Sequence, residues 1–313
     1  MVSIVITAYN RATFLRECID SALAQDYSSF EVTVVDDGST DETREICNGY
    51  GDKIRYFWKP NGGAASAKNF GIQRMRGEWL KVLDSDDVLE RDALSKFAEW
   101  AARLQSDWLF CNCVQIDSNG RLYRTWEPGL PPEGDELIRA LWSMWNPTWR
   151  RRLPFSYSAL SGMGFIRRPL LFKLGLLDER LPVFEDWEWV MRASLIHRRF
   201  GAYVPLPLYR YRHHPGQLTA RNWENEREQA RERARMAVKS RLAEASGPLL
   251  DHYRRDARRL RRIYLPLIEL GSSLKAPSFQ NRARYWGWTV APSLMDRIYW
   301  GANPPVNLGQ RSS

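Results

Sequence analysis

The first 90 residues alternate short apolar runs with segments whose apolar residues recur three or four positions apart. The apolar runs predict buried strands at Val2–Ile6, Phe30–Val35, Ile54–Trp58 and Trp79–Leu83. The helical spacing between them predicts amphipathic helices, the third over Ala64–Met75. This alternation is typical of an α/β fold, a doubly wound and mostly parallel sheet with helices on both faces.

The pattern changes beyond residue 120. Further elements are predicted there: a Trp-rich helix at Glu136–Trp145, a basic turn at Trp149–Arg152, a helix at Asp186–Leu195, a last strand at Leu206–Arg212, and long helices at Asn222–Ala243 and Pro248–Tyr264. We therefore expect a catalytic domain over residues 1–215 and a helical C-terminal extension over residues 216–313.

The basic charge is concentrated in the C-terminal region. Residues 216–313 hold 18 Lys and Arg against 9 Asp and Glu, which accounts for the whole net charge of +9. The helix at 248–264 combines an apolar stripe with six arginines, a pattern that predicts peripheral contact with an anionic membrane surface. The alternative is that the stripe packs on the catalytic domain. We expect no nucleic-acid partner, because no recognition motif accompanies the charge.

Several classes of protein are disfavoured by the sequence. No stretch approaches the ~18 apolar residues of a membrane-spanning helix, and the N-terminal apolar run lacks the basic leader of a signal peptide. The four cysteines include no CxxC pair, which favours a reduced setting. We predict a cytoplasmic protein, with a peripheral position on the inner face of the membrane as an option.

Polar clusters follow three of the predicted strands. Thr7–Asn10 comes after the first, Asp36 and Asp37 after the second, and Asp84–Asp87 after the fourth. Ligands of such sheets bind outside the carboxyl ends of the strands. Carboxylates suit Mg²⁺ or Mn²⁺, which are usually completed by substrate phosphates. The alternative for the last cluster is a solvated turn with helix-capping acids.

Three segments resemble the successive motifs of family 2 glycosyltransferases. They are Val2–Asn10, Val34–Asp41 and Asp84–Asp87, and the resemblance extends over about residues 1 to 215. It implies a GT-A fold, inversion at the anomeric carbon, and a divalent cation, Mn²⁺ or Mg²⁺, bound through the DxD element.

The resemblance also implies roles for individual residues on the donor side. It implies donor-nucleotide contacts for Thr7, Ala8, Tyr9, Asn10, Asp36, Asp37, Lys68, Asn69, Asp84 and Ser85. Lys68 stands where the family usually has arginine. Asp86 would bind the metal, and a histidine near the end of the last strand would lie beside it. His214 is the candidate, although the neighbouring His213 leaves the register open.

On the acceptor side, the resemblance implies that Asp186 is the general base. Glu185 would orient it or contact the acceptor, and Trp187, Gly162 and Met163 would line the acceptor site. Acids at a helix start are otherwise caps and dipole partners. One of Trp187 and Trp189 is expected to pack into the core instead.

The function predicted from these features is sugar transfer from a nucleotide-diphosphate donor to an acceptor hydroxyl in cell-surface glycan or polysaccharide assembly. A UDP-sugar is favoured as donor, GDP- and dTDP-sugars are alternatives, and the acceptor would be a glycan or lipid-linked. Two rival functions remain. One is an inactive glycosyltransferase-like nucleotide-binding module, and the other is a sugar-phosphate nucleotidyltransferase, whose Gly-rich phosphate loop the N-terminal segment does not supply.

Overall fold

A computed structural model describes residues 1–125, 160–195 and 201–218, together with His197 and Arg199. All of them belong to one compact unit, Met1–Pro128 with Phe155–Lys239. The predicted helices at 136–145, 222–243 and 248–264 and the basic turn at 149–152 lie outside the described residues, as does nearly all of the predicted extension 216–313.

The described residues form nine strands and six helices. The strands are β1 (Val2–Ala8), β2 (Phe30–Asp36), β3 (Arg55–Trp58), β4 (Trp79–Asp84), β5 (Val88–Leu89), β6 (Trp108–Ile116), β7 (Leu122–Thr125), β8 (Gly164–Arg167) and β9 (Ala202–Arg212). The helices are α1 (Ala12–Leu23), α2 (Thr43–Asn48), α3 (Ala64–Gln73), α4 (Ala93–Leu104), α5 (Arg168–Leu174) and α6 (Glu185–Leu195). The strands and helices predicted for the first 90 residues are all present.

The strands form one sheet in the order β3-β2-β1-β4-β8-β6-β9-β5, with β7 beside β6. Its first four strands are parallel, so their carboxyl ends meet at one edge. Beyond them β8 runs antiparallel to both β4 and β6, whereas β6 and β9 are parallel. The predicted α/β class is confirmed, and the sheet is mixed in its second half because β8 enters in the opposite direction.

Helices cover both faces of the parallel half. The period of two along β1 sends Ile4 and Ile6 into the main core, which also contains Leu15 of α1. Val5 points to the other face, where α3 approaches so closely that a Cβ atom on Gly71 would lie 2.4 Å from Cγ1 of Val5. A glycine at this position therefore sets the distance between α3 and the sheet.

Two of the sequence predictions concern the cysteines and membrane-spanning helices. Cys18, Cys47, Cys111 and Cys113 are all buried and none forms a disulfide. Within the described ranges, the longest helices have 12 residues, and none is long and apolar enough to cross a membrane.

The close contact between α3 and β1 gives a stability prediction. We expect Gly71→Ala to lower the free energy of unfolding by about 1–2 kcal/mol, because overpacking costs about 1–3 kcal/mol and the helix propensity of alanine offsets up to about 1 kcal/mol. Gln73→Ala on the exposed face of the same helix is the control and should change stability by less than about 0.5 kcal/mol. Urea unfolding measures both, and equal stability of the two variants would contradict the close packing.

Candidate active site

The polar clusters predicted at the strand ends meet at one edge of the sheet. Thr7 on β1 pairs in register with Val35 on β2 and with Asp84 on β4. The side chain of Thr7 is half-buried between them. Tyr9, just beyond β1, is 46% exposed, so its ring is free to stack on a flat ligand.

Asp37 ties the end of β2 to the start of α3. Its carboxylate accepts hydrogen bonds from the backbone N–H groups of Gly62 (3.0 Å) and Gly63 (2.8 Å) and from Nζ of Lys59 (2.5 Å). Gly63 has φ +87°, a conformation that favours glycine. Asp37 thus shapes the loop before α3, and Lys59, which the sequence analysis did not single out, is its charged partner.

Asn10 joins the loops that follow β1 and β2. It has φ 51°, a left-handed conformation that asparagine tolerates better than most residues. Its Oδ1 accepts a hydrogen bond from the backbone N–H of Thr40 (2.8 Å), and its own N–H donates to Oγ of Ser39 (2.9 Å). Asn10 therefore fixes the conformation of the loop that carries Tyr9.

Three predicted nucleotide contacts prove to be buried. Asp36 is fully buried, accepting hydrogen bonds from the backbone N–H of Ser39 and from the hydroxyl of Tyr56. The methyl group of Ala8 lies in the core, and Ser85 is 4% exposed. These side chains are enclosed by the protein, and the nucleotide contacts of the three residues stay predictions.

Asp86 lies in contact with His214 and Arg11. Nε2 of His214 is 3.0 Å from Oδ2 of Asp86, and Nε of Arg11 is 3.6 Å from the same oxygen. The ring of Phe14 packs on His214 at 4.6 Å between centroids. His213 instead contacts Oε1 of Gln115, so His214 is the histidine that lies beside Asp86.

The donor set at Asp86 fits a cation that a substrate would complete. Asp86 and His214 offer one carboxylate and one imidazole, and Mg²⁺ or Mn²⁺ bound by so few protein ligands takes the rest from phosphates and water. In the part of the chain that the structure describes, no group of three or more His, Cys, Asp or Glu side chains could hold a metal ion. The protein therefore supplies a partial site.

Arg212 fixes the loop that carries these acids. Its guanidinium is buried and donates to the backbone oxygen of Asp86 (2.8 Å) and to Oε2 of Glu17 (2.7 Å). Its backbone N–H donates to Oδ1 of Asp87 (2.7 Å), whose other oxygen accepts the hydroxyl of Tyr209. Burial, with the charges of neighbouring aspartates, raises the pKa of Asp87 well above its usual value. Asp87 is thus a structural anchor within the acid cluster.

Lys68 lies among the acids on the other side of the site. Its Nζ is 3.2 Å from Oε1 of Glu185 and 3.6 Å from Oδ1 of Asp84. Burial lowers the pKa of Lys68, but Asp84, Glu185 and Asp186 outweigh it and the pKa ends above its usual value. Lys68 is therefore a buried ammonium group shared by carboxylates from β4 and α6.

Asp186 lies in the first turn of α6, beside Glu185. Burial and the negative charge of Glu185 raise the pKa of Asp186 to about 7, against the lowering effect of Lys68. Phe184 precedes the helix with φ 66°, a left-handed conformation rare for a bulky residue. Such strained residues cluster at functional sites.

Asn69 holds the loop that leads to α6. Its amide donates to the backbone oxygen of Leu177 (3.0 Å) and to Oε1 of Glu179 (2.9 Å), and Oδ1 accepts the N–H of Leu177 (3.0 Å). Both N–H groups of the Asn69 amide are thus used within the protein, and its nucleotide contact stays a prediction.

Two predicted acceptor residues also lie inside the protein. Met163 belongs to the hydrophobic core, and Gly162 packs under the ring of Tyr209 while its carbonyl accepts a hydrogen bond from buried Lys81. Both residues serve packing in the described structure, and their acceptor-site role stays a prediction. Trp189 is fully buried, as expected of one of the two tryptophans, whereas Trp187 is partly exposed.

A family comparison identifies the family to which the chain belongs. Residues 3–168, just over half of the chain, match the model of glycosyl transferase family 2. The chain belongs to this family.

Individual relatives extend the comparison. The chain is 35% identical over 203 residues to an uncharacterized glycosyltransferase of Rickettsia typhi, covering 63% of this chain and 60% of that one. It is 32% identical over 235 residues to the uncharacterized glycosyltransferase EpsJ of Bacillus subtilis strain 168, covering 70% of this chain and 63% of that one. The chain therefore spans about three fifths of the length of these relatives.

A solved structure shares the fold. S. aureus TarS 1-349 in complex with UDP-GlcNAc superposes with a TM-score of 0.60 at 21% identity, covering 79% of this chain and 68% of that one. This likeness supports the GT-A type of fold.

The raised pKa of Asp186 predicts how stability depends on pH. The pKa is about 7 in the folded state against a reference of 3.8, so between about pH 4 and pH 7 the folded protein holds a proton that the unfolded chain has lost. Stability contributed by this group therefore falls as the pH rises through that window. We expect Asp186→Asn to be equally stable near pH 4 and more stable than the unmodified chain at pH 8, by up to about 4 kcal/mol, because each of the roughly three pKa units is worth about 1.4 kcal/mol.

Urea unfolding from pH 4 to pH 8 measures this difference. Asp52→Asn, which changes an exposed carboxylate, is the control and should follow the unmodified chain throughout. A gain for Asp186→Asn that does not depend on pH would contradict the protonation argument.

Proposed function

We propose that this chain is an inverting glycosyltransferase that moves a sugar from a nucleoside diphosphate donor to an acceptor hydroxyl. The observation that carries the proposal is the junction between the two acid clusters. Lys68 joins Asp84, at the sheet edge where nucleotides bind in such folds, to Glu185 beside Asp186. A carboxylate with a pKa of about 7 thus lies next to the expected donor site.

The role of Asp186 is that of general base. A base is most effective when its pKa lies near the working pH, because it is then both available and strong enough to take the proton. Asp186 would remove the proton from the acceptor hydroxyl as the oxygen attacks the anomeric carbon from the side opposite the leaving diphosphate. Attack from that side inverts the configuration.

Asp86 and His214 would hold a divalent cation, Mn²⁺ or Mg²⁺. When bound, this ion would neutralise charge on the leaving diphosphate. Arg11, already 3.6 Å from Asp86, adds a second positive charge on the same side. Asp86 would orient both the divalent cation and the guanidinium of Arg11. Arg212 in turn holds the backbone of Asp86.

The proposed donor is a UDP-sugar, with GDP- and dTDP-sugars as alternatives. Support comes from the shared fold of S. aureus TarS 1-349, whose structures were solved with UDP and with UDP-GlcNAc. We propose a glycan or lipid-linked acceptor in cell-surface glycan assembly. The basic charge of residues 216–313 supports contact with an anionic membrane surface.

A first test separates catalysis from donor binding. Asp186→Asn is expected to lower kcat about 10²- to 10⁴-fold, the usual contribution of a general base, while UDP binds within about threefold of its original affinity. Transfer from radiolabelled UDP-sugars and calorimetric UDP titration measure the two effects. Asp52→Asn is the matched control, and full turnover by Asp186→Asn would overturn the base assignment.

A second test addresses the cation. Asp86→Ala should weaken binding of UDP in the presence of Mn²⁺ by about tenfold or more. Removing a residue that hydrogen-bonds to a metal ligand typically lowers metal affinity about 10- to 100-fold, and removal of the ligand itself should lower it at least as much. In EDTA the same substitution should have little effect. Equal losses with and without Mn²⁺ would contradict a cation at Asp86.

A thermal-shift panel of UDP-, GDP- and dTDP-sugars with and without Mn²⁺ identifies the donor.

A turnover assay then identifies the reaction. Release of nucleoside diphosphate from the donor supports transfer. Formation of pyrophosphate from a nucleoside triphosphate and a sugar phosphate would instead indicate a nucleotidyltransferase, and binding without any turnover would indicate an inactive module.

A further inference from the structure

Two neighbouring residues of α3 hold the whole segment that carries Asp186. Lys68 binds Glu185 at the start of α6, and Asn69 binds Leu177 and Glu179 in the loop before it. These contacts join parts of the chain more than 100 residues apart. Because α3 is itself packed closely on the sheet through Gly71, it offers a rigid support.

The two contacts differ in chemistry. The amide of Asn69 carries no charge itself and contacts only the loop, at Leu177 and Glu179. Lys68 carries a charge, is 5% exposed, and reaches Asp84 on the donor side as well as Glu185 on the acceptor side. Buried ammonium groups persist where carboxylates compensate the cost of removing them from water.

We propose that Lys68 is a positioning residue that couples the donor side of the site to the base: it fixes the first turn of α6, and with it Asp186, relative to Asp84. The inference rests on the proposed function. It assigns to Lys68 a task different from a nucleotide contact, because its ammonium group is directed at two protein carboxylates.

The choice of lysine follows from the geometry. The three N–H donors of an ammonium group radiate from one atom, so a single Nζ can serve carboxylates that approach from different directions. Nζ lies 3.2 Å from Glu185 and 3.6 Å from Asp84. The planar fork of arginine instead spreads its five donors over three nitrogen atoms.

The charge of Lys68 also acts on the base. Three groups influence the ionisation of Asp186 from neighbouring elements: Glu185 from α6, Asp84 from β4 and Lys68 from α3. The two carboxylates hinder ionisation of Asp186 and Lys68 favours it. A change at Lys68 therefore has a pH signature that a purely structural substitution lacks.

The experiment compares Lys68→Met with the unmodified full chain. We expect kcat to fall about 100-fold, the loss that a misplacement of about 1 Å can cause. The acidic limb of the kcat–pH profile should move up by about one pH unit, as expected when a neighbouring positive charge is lost. Lys68→Arg, which keeps the charge, should restore the position of the limb even where kcat stays reduced.

Lys96→Met is the matched control, because Lys96 also pairs with a carboxylate but lies on the exposed face of α4. It should leave both kcat and the limb unchanged. A fall in kcat for Lys68→Met with an unmoved limb, or no fall at all, would overturn the proposal. If Lys68→Met does not fold, Lys68→Gln is measured in the same way.

Hydrogen–deuterium exchange tests the positioning role without turnover. Peptides covering residues 177–190 should exchange faster in Lys68→Met, by about tenfold in rate, and as in the unmodified chain in Lys96→Met. Unchanged exchange would refute the role of Lys68. If no donor is turned over by the unmodified chain, the proposed function fails while the exchange result still decides whether Lys68 positions α6.

Discussion

The buried guanidinium of Arg212 is the interaction on which the arrangement of the site depends. It fixes the backbone of Asp86 and pairs with Glu17, while its own N–H fixes Asp87. Without such donors, three aspartates in four residues would repel one another and the loop would have no single conformation. Asp87 is hydrogen-bonded to buried groups of the protein. Asp84 and Asp86 are therefore the more exposed acids of the loop, with side chains 37% and 17% exposed.

The site thus consists of two acid clusters, each organised around a buried cation. Arg212 serves the cluster at Asp86, and Lys68 serves the cluster at Glu185 and Asp186. The two cations act differently because of their shapes. The fork of Arg212 satisfies several carbonyl groups in different segments, whereas the point charge of Lys68 is shared between carboxylates.

The sequence predicted the parallel half of the sheet and the position of the site because both depend on local patterns. Apolar runs define strands, and polar clusters after them define the edge. It could not predict which way a side chain points within a cluster: Asp36 and Met163, predicted as ligand contacts, are both buried. A motif fixes the residue type, whereas burial depends on partners elsewhere, such as Tyr56 for Asp36.

Residues that contact distant segments were missed for the same reason. Arg212 binds Asp86 across 126 positions of sequence, and Lys59 binds Asp37 across 22. Neither contact produces a periodic pattern of residues in the sequence. The roles proposed for Asp186 and His214 came from the resemblance to a family, because composition and spacing alone did not suggest them.

The long sequence separation of the Lys68–Glu185 contact has a consequence for how the molecule forms. The parallel strands β1 to β4 lie within the first 84 residues, so their contacts are comparatively local and their loops are cheap to close. The ammonium group of Lys68 gains Glu185 only when a segment 117 positions away arrives. Folding rates fall as contacts become less local. The segment that carries Glu185 is therefore expected to assemble last, on parallel strands that are already in place during synthesis.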